Sequence, residues 1–232
     1  MQRLLKVASL LLATATIPAA AQVTRIASAR GEGSLSYLNH FTRASELGEL
    51  EKRPMGADDI EARAWITQWM PQGVALRREN GQWRAWYMRG VSCGVTLPTA
   101  VYDTVSAATR ERYLAEARPN CGKPPKAEPT RVGNYAYLGF DTLLVTELSN
   151  AVAIEHAWRT AVDSGLLMLP LEVPGDYPTI DGSRYVIEVR RGNEYRVSTI
   201  KHTNPPRDEA HRRVQAVFSA LASAITEDAQ LR

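Results

Sequence analysis

Apolar and polar residues alternate along residues 184–202 (RYVIEVRRGNEYRVSTIKH), on both sides of Arg191-Gly192-Asn193, with the period of a β-hairpin. Two registers compete. A two-residue loop at Gly192-Asn193 sets Glu188 opposite Val197 and Arg190 opposite Tyr195, mixing charged with apolar groups. A three-residue loop, with Asn193 left-handed, pairs Glu188 with Arg196, Arg190 with Glu194, Ile187 with Val197 and Val189 with Tyr195. That register makes one face apolar and gives the other two opposite-charge pairs, each contributing about 0.2–1 kcal/mol. It is the register the pattern predicts.

A second antiparallel unit lies upstream. Residues 61–69 alternate weakly, Pro71-Gln72-Gly73 turns the chain, and 74–79 and 82–89 flank Asn80-Gly81, a pair that accepts positive φ at both positions. Pairing across that turn sets Arg78 against Trp83, Leu76 against Ala85 and Val74 against Tyr87. The period then changes to helical. Residues 34–50 carry a broken helical spacing, and 104–118 an amphipathic one stopped by Pro119. Asn150 caps a helix through Asp163 with Ile154, Ala157, Trp158 and Ala161 on one stripe, and Gly165 ends it. Residues 207–227 form the last helix, with Val214, Val217, Phe218 and Leu221 along one face. Residues 140–147 read as a further strand, 22–33 as small, polar and loose at its start, 122–133 as an exposed connection, and 166–173 as buried irregular structure or a short strand. This order predicts an α+β fold: an antiparallel sheet built from β-hairpins, with three to four helices packed on one face.

Residues 1–21 change the picture of location. Arg3 and Lys6 precede an apolar run, and Ala19-Ala20-Ala21 matches a small-residue cleavage site, so this segment reads as a signal peptide and 22–232 as a single domain. No later stretch is apolar for the ~20 residues of a membrane span. The expected location is periplasmic or secreted, in a Gram-negative envelope. The chain has 28 basic and 25 acidic residues; without Arg3 and Lys6 the basic count is 26. So even a balance offers no footprint for nucleic acid. The two cysteines, Cys93 and Cys121, lack C-x-x-C spacing and are expected to form one structural disulfide, worth roughly 3–4 kcal/mol by loop entropy.

Candidate chemistry is sparse. There is no G-x-S-x-G elbow, H-E-x-x-H or Gly-rich phosphate loop. His40, His156, His202 and His211 lack metal-ligand spacing, and no metal or cofactor is expected. The best constellation joins Glu188 and Arg196, facing each other in the predicted register, with His202 an even number of residues along from Arg196 and so on the same face. On a concave face, Glu188 would serve as general base, Arg196 would hold an anion and His202 would shuttle a proton. His156, beside Glu155, joins them only if the fold brings it near. The competing reading makes Glu188–Arg196 a solvent-facing ladder pair. Trp65, Trp69, Trp83 and Trp86 cluster in the upstream meander, either as a ligand-stacking platform or as aromatics covering a sheet.

The run Asp181-Gly182-x2-Tyr185-x2-Glu188-x3-Gly192-x2-Tyr195-Arg196, ending near Asn204-Pro205, resembles a pattern in uncharacterised exported bacterial proteins. The Asn80-Gly81 meander and the Trp158 helix are similar to their upstream parts. The resemblance implies an α+β fold and an envelope location and carries no activity. Two functional classes stay open. One is a non-enzymatic module binding a partner protein, a cell-wall component or a small molecule. The other is an exported hydrolase with a dispersed site around Glu188, Arg196 and His202.

Overall fold

The computed structural model describes residues 23–43, 45–67, 70–109, 112, 130–173, 183–203 and 205–229. In chain order they form β1 (Thr24–Ile26), α1 (Ala29–Thr42), β2 (Ile60–Thr67), β3 (Gln72–Glu79), β4 (Gln82–Pro98), α2 (Thr99–Thr104), β5 (Thr130–Val132), β6 (Tyr135–Leu148), α3 (Ala151–Asp163), β7 (Arg184–Arg191), β8 (Glu194–Lys201) and α4 (Glu209–Ala229). Short 3-10 turns sit at Leu50–Lys52 and Leu166–Met168. The strands join one sheet in the order β1-β8-β7-β2-β3-β4-β6-β5. Every neighbouring pair is antiparallel except β1–β8. The α+β class read from the pattern holds.

The face that the pattern described best lies under α3 and α4. Asn150 accepts from Ala153 N at 3.1 Å, and Gly165 ends the helix at φ +92°. Asp208 caps α4 by accepting from His211 N at 3.0 Å. Ile154, Ala157 and Ala161 of α3 and Val214, Val217, Leu221 and Ala224 of α4 then bury against Ala62, Ala64, Val74, Leu76, Ala85, Ile187 and Val189. The β3–β4 hairpin has the predicted pairs Arg78–Trp83, Leu76–Ala85 and Val74–Tyr87. Its turn has Asn80 at φ +50° and Gly81 at +78°, the left-handed pair that a two-residue hairpin loop needs.

The opposite face differs from expectation. The helices divide between the two faces: α1 packs on the side away from α3 and α4. Ser28 accepts from Gly31 N at 3.1 Å to start α1. Leu35, Leu38 and Phe41, joined by Leu47 and Leu50 beyond the helix, cover Trp65, Ala75, Trp86, Met88, Val186, Tyr195 and Val197. Gly73 makes room for this layer, because a Cβ there would lie 2.4 Å from Ala64 O and 2.9 Å from the Trp65 ring. From residue 23, the stretch whose start the pattern reads as loose supplies β1 and the start of α1.

The register of the β7–β8 hairpin must also be corrected. The observed pairs are Arg191–Glu194, Arg190–Tyr195, Val189–Arg196 and Glu188–Val197, joined by a two-residue loop at Gly192-Asn193. Gly192 has φ +50°. The three-residue loop would follow if one face of the hairpin were wet. Both faces are buried, so the charges on this strand are held by partners inside and not by water.

Two further elements differ. The strands expected at 82–89 and 140–147 are longer, and β4 and β6 stay paired from Ala85–Leu148 out to Pro98–Tyr135, past the end of β3 at Gln72–Arg89. A helix starting at residue 104 is not seen; α2 ends there and Val105 is extended. Helical backbone resumes at 107–109, and residues 113–118 lie outside the described residues.

Candidate functional site

The charged residues of β2, β3 and β7 gather beneath α1 and the segment that follows it. Glu61, Arg63 and Trp65 share one face of β2, and across the sheet Glu61 has Arg190 and Arg77 as neighbours while Arg63 has Glu188 and Ala75. Glu61 and Arg63 are 0 % and 1 % exposed. Arg63 Nε donates to Glu61 Oε1 at 2.7 Å and Arg77 Nε to Oε2 at 2.6 Å. Arg63 also donates to Gly48 O at 2.7 Å and Leu47 O at 3.0 Å. Arg190 donates to Gly192 O at 3.0 Å, to Leu50 O at 2.8 Å and to Glu51 O. Two guanidiniums thus bind carbonyls of residues 47–51 and hold that segment over the sheet.

Burial pushes the Glu61 carboxyl up, but Arg63 and Arg77 outweigh it and leave the group below its ordinary range. Glu188 differs. It accepts from Trp65 Nε1 on Oε1 and from Tyr195 Oη on Oε2, both at 2.8 Å. Its complete burial nevertheless raises its pKa, against the Arg63 charge and these two hydrogen bonds. Tyr195 is held well above the usual phenol range by burial and by the neighbouring Glu188. Where this layer reaches solvent, Arg77 and Arg84 lie over the Trp86 ring at 4.6 and 5.0 Å, and Arg84 pairs with Glu147 at 2.7 Å.

The predicted catalytic trio is not brought together. Glu188 lies on the α1 side, whereas Arg196 sits beside Val189 on the α3–α4 side and donates to Leu169 O at 2.6 Å. His202 also lies on that second side, 5.0 Å from the Tyr185 ring, which touches Phe218. A slip of one residue in register exchanges the faces of a whole strand, and here it separates the base from the anion holder. Glu155 pairs with Arg159 at 2.5 Å on the outer side of α3, with His156 exposed beside it.

The tryptophans are likewise divided. Trp65 and Trp86 are buried on the α1 side; Trp83 stacks 5.2 Å from Trp158 on the other; Trp69 lies outside the described residues. Cys93 is buried on β4, and Cys121 lies outside the described residues. Among the described residues, no three His, Cys, Asp or Glu side chains form a metal-holding group. No described helix is long and apolar enough to cross a membrane. Glu61, Arg63, Arg77 and Arg190 were missed by sequence reasoning. Their available signal was the i, i+2 run Glu61-x-Arg63-x-Trp65, in which charge and a large aromatic share one face.

Two open cavities bear on binding. One of about 380 Å³ lies beside Trp83, Arg84, Glu147 and Ile154. A larger one of about 690 Å³ lies where β1 meets β8 and residues 51–55. Compared with known proteins, the chain matches no family model, no curated protein and no solved structure.

Proposed function

We propose that this protein is an exported, periplasmic, non-enzymatic binding module. The observation that carries the reading is the fate of Glu188, the base of the hydrolytic alternative. Both of its oxygens are occupied by Trp65 and Tyr195 inside the core, and Arg196 is on the other side of the sheet. A carboxyl group sealed in this way orders side chains and does not reach a substrate. The Tyr185, Glu188, Gly192 and Tyr195 positions of the exported-protein pattern are each used in packing, the Glu188 hydrogen bonds or the turn, so the resemblance is best taken as a folding signature. Export rests on the character of residues 1–21, and a Cys93–Cys121 bond is proposed for the oxidising compartment beyond it.

Turnover assays with a model ester, peptide and glycan test the non-enzymatic reading. No activity above background is expected; activity that vanishes in Glu188→Gln while the fold is retained would overturn it. Osmotic-shock fractionation tests the location, and mass analysis with and without reductant tests the disulfide.

A further inference from the structure

The cavity beside β1 differs from the rest of the surface in its charge. Arg25, Lys52, Arg53 and Arg190 line it against a single carboxylate, Glu51, which Arg25 engages at 2.9 Å. Lys52 pairs outside the cavity with Glu49 at 2.9 Å. Arg190 is the unusual member. It is 4 % exposed, yet it lines the cavity. Arg63 and Arg77, the other buried arginines of this face, both hold Glu61. Arg190 makes no ion pair within 4 Å among the described residues; the charges of Glu51 and Glu61 act on it from farther off, and its Nε and Nη1 go to backbone carbonyls. Its Nη2 makes no hydrogen bond among the described residues and is not one of the enclosed polar atoms left without a partner, so it is the corner that meets the cavity.

A buried guanidinium whose carboxylates stand beyond ion-pair distance is only partly compensated, and an anion entering the cavity would add to what Glu51 and Glu61 supply. The volume falls within the usual range for a small-molecule site. Val23, Pro54 and Met55 add an apolar wall to the charged one. We propose that this cavity binds a small organic anion, its anionic oxygens taken by Arg190 Nη2 with Arg53 and Lys52, its short apolar part lying against Val23, Pro54 and Met55. This rests on the binding role above and names the ligand chemistry.

Hexanoate, hexan-1-ol and inorganic phosphate are suitable probes, followed by calorimetry and by amide chemical shifts on the full mature chain. Hexanoate binds saturably, shifts Val23, Met55 and Asn193, and is displaced by phosphate; hexan-1-ol leaves those amides unmoved. Lys52→Glu, at an exposed position, weakens hexanoate by about tenfold, the scale of one reversed charge near a half-wetted site. Arg190→Lys weakens it further, since a point charge does not replace the planar fork; if that variant fails to fold, Lys52→Glu still decides. Absence of saturable binding by either anion, shifts confined to the Trp83 cavity, or affinity unchanged in Lys52→Glu overturns the proposal. Chemical conversion of the bound anion would instead sink the non-enzymatic reading and leave this site standing.

Discussion

The two faces of the sheet bury comparable numbers of strand side chains by different physics. Under α3 and α4 the layer is apolar and interdigitated, and removal from water drives it without directional bonds. Under α1 the layer mixes Leu35, Phe41, Trp65 and Trp86 with Glu61, Arg63, Arg77, Glu188 and Arg190. There, stability depends on each charge keeping its partners. The first face should tolerate a lost methyl group gradually, whereas the second should fail when one member of a pair is removed.

The largest effect is expected from Arg63→Met. It leaves Glu61 with Arg77 and the more distant Arg53, removes the Arg63 hydrogen bond from the Gly48 carbonyl and one of the two to Leu47 O, and costs about 3–5 kcal/mol in urea unfolding. Adding Glu61→Gln should recover part of this loss; simple additivity would show that the two residues do not act as a pair. On the apolar face, Leu221→Ala should cost about 2–5 kcal/mol through the cavity it leaves, with no dependence on pH between 4 and 7 as its check. Gly73→Ala should cost about 1–3 kcal/mol by overpacking against Ala64 O and Trp65, read by the same unfolding curve and by a change in Trp fluorescence.

The pH dependence separates the two buried glutamates. Glu61 has a depressed folded pKa, so its contribution is present above the ordinary carboxyl value and is lost as pH falls through the folded value. Glu188 has a raised one, so its contribution is greatest below the ordinary value and declines as pH rises toward the raised value. Glu188→Gln should therefore lose most stability against the parent near pH 4 and least at neutral pH; the reverse slope would refute the assignment. The smallest effect belongs to the rim. Arg84 and Glu147 are each about half exposed, and Arg84→Ala should change stability by less than about 1 kcal/mol.

The legibility of the chain follows the same division. The β3–β4 pairs, the Asn150 cap and the Val214–Leu221 stripe could be read because each is a local signal: a turn dipeptide, a capping side chain, a helical period. The start of the mature chain is illegible because a three-residue parallel strand has no pattern of its own; Thr24–Ile26 exists by pairing with Glu194–Arg196. The candidate site suffered most. The pattern offers Glu188 as a base or a ladder residue facing Arg196, whereas its partners are Trp65 and Tyr195, not Arg196 and His202. Its contact with Trp65 spans 123 residues, and no periodicity encodes such a meeting.

From the chain alone follow the α+β class, both hairpins as elements and the helices that bury one face, because period and turn chemistry act over a few residues. Which way β8 registers, which face α1 covers and whether Glu61 and Arg63 meet water were decided by the tertiary structure. An alternating strand states which side chains share a face; only what packs on that face determines whether charges there are solvated or must find one another in the interior.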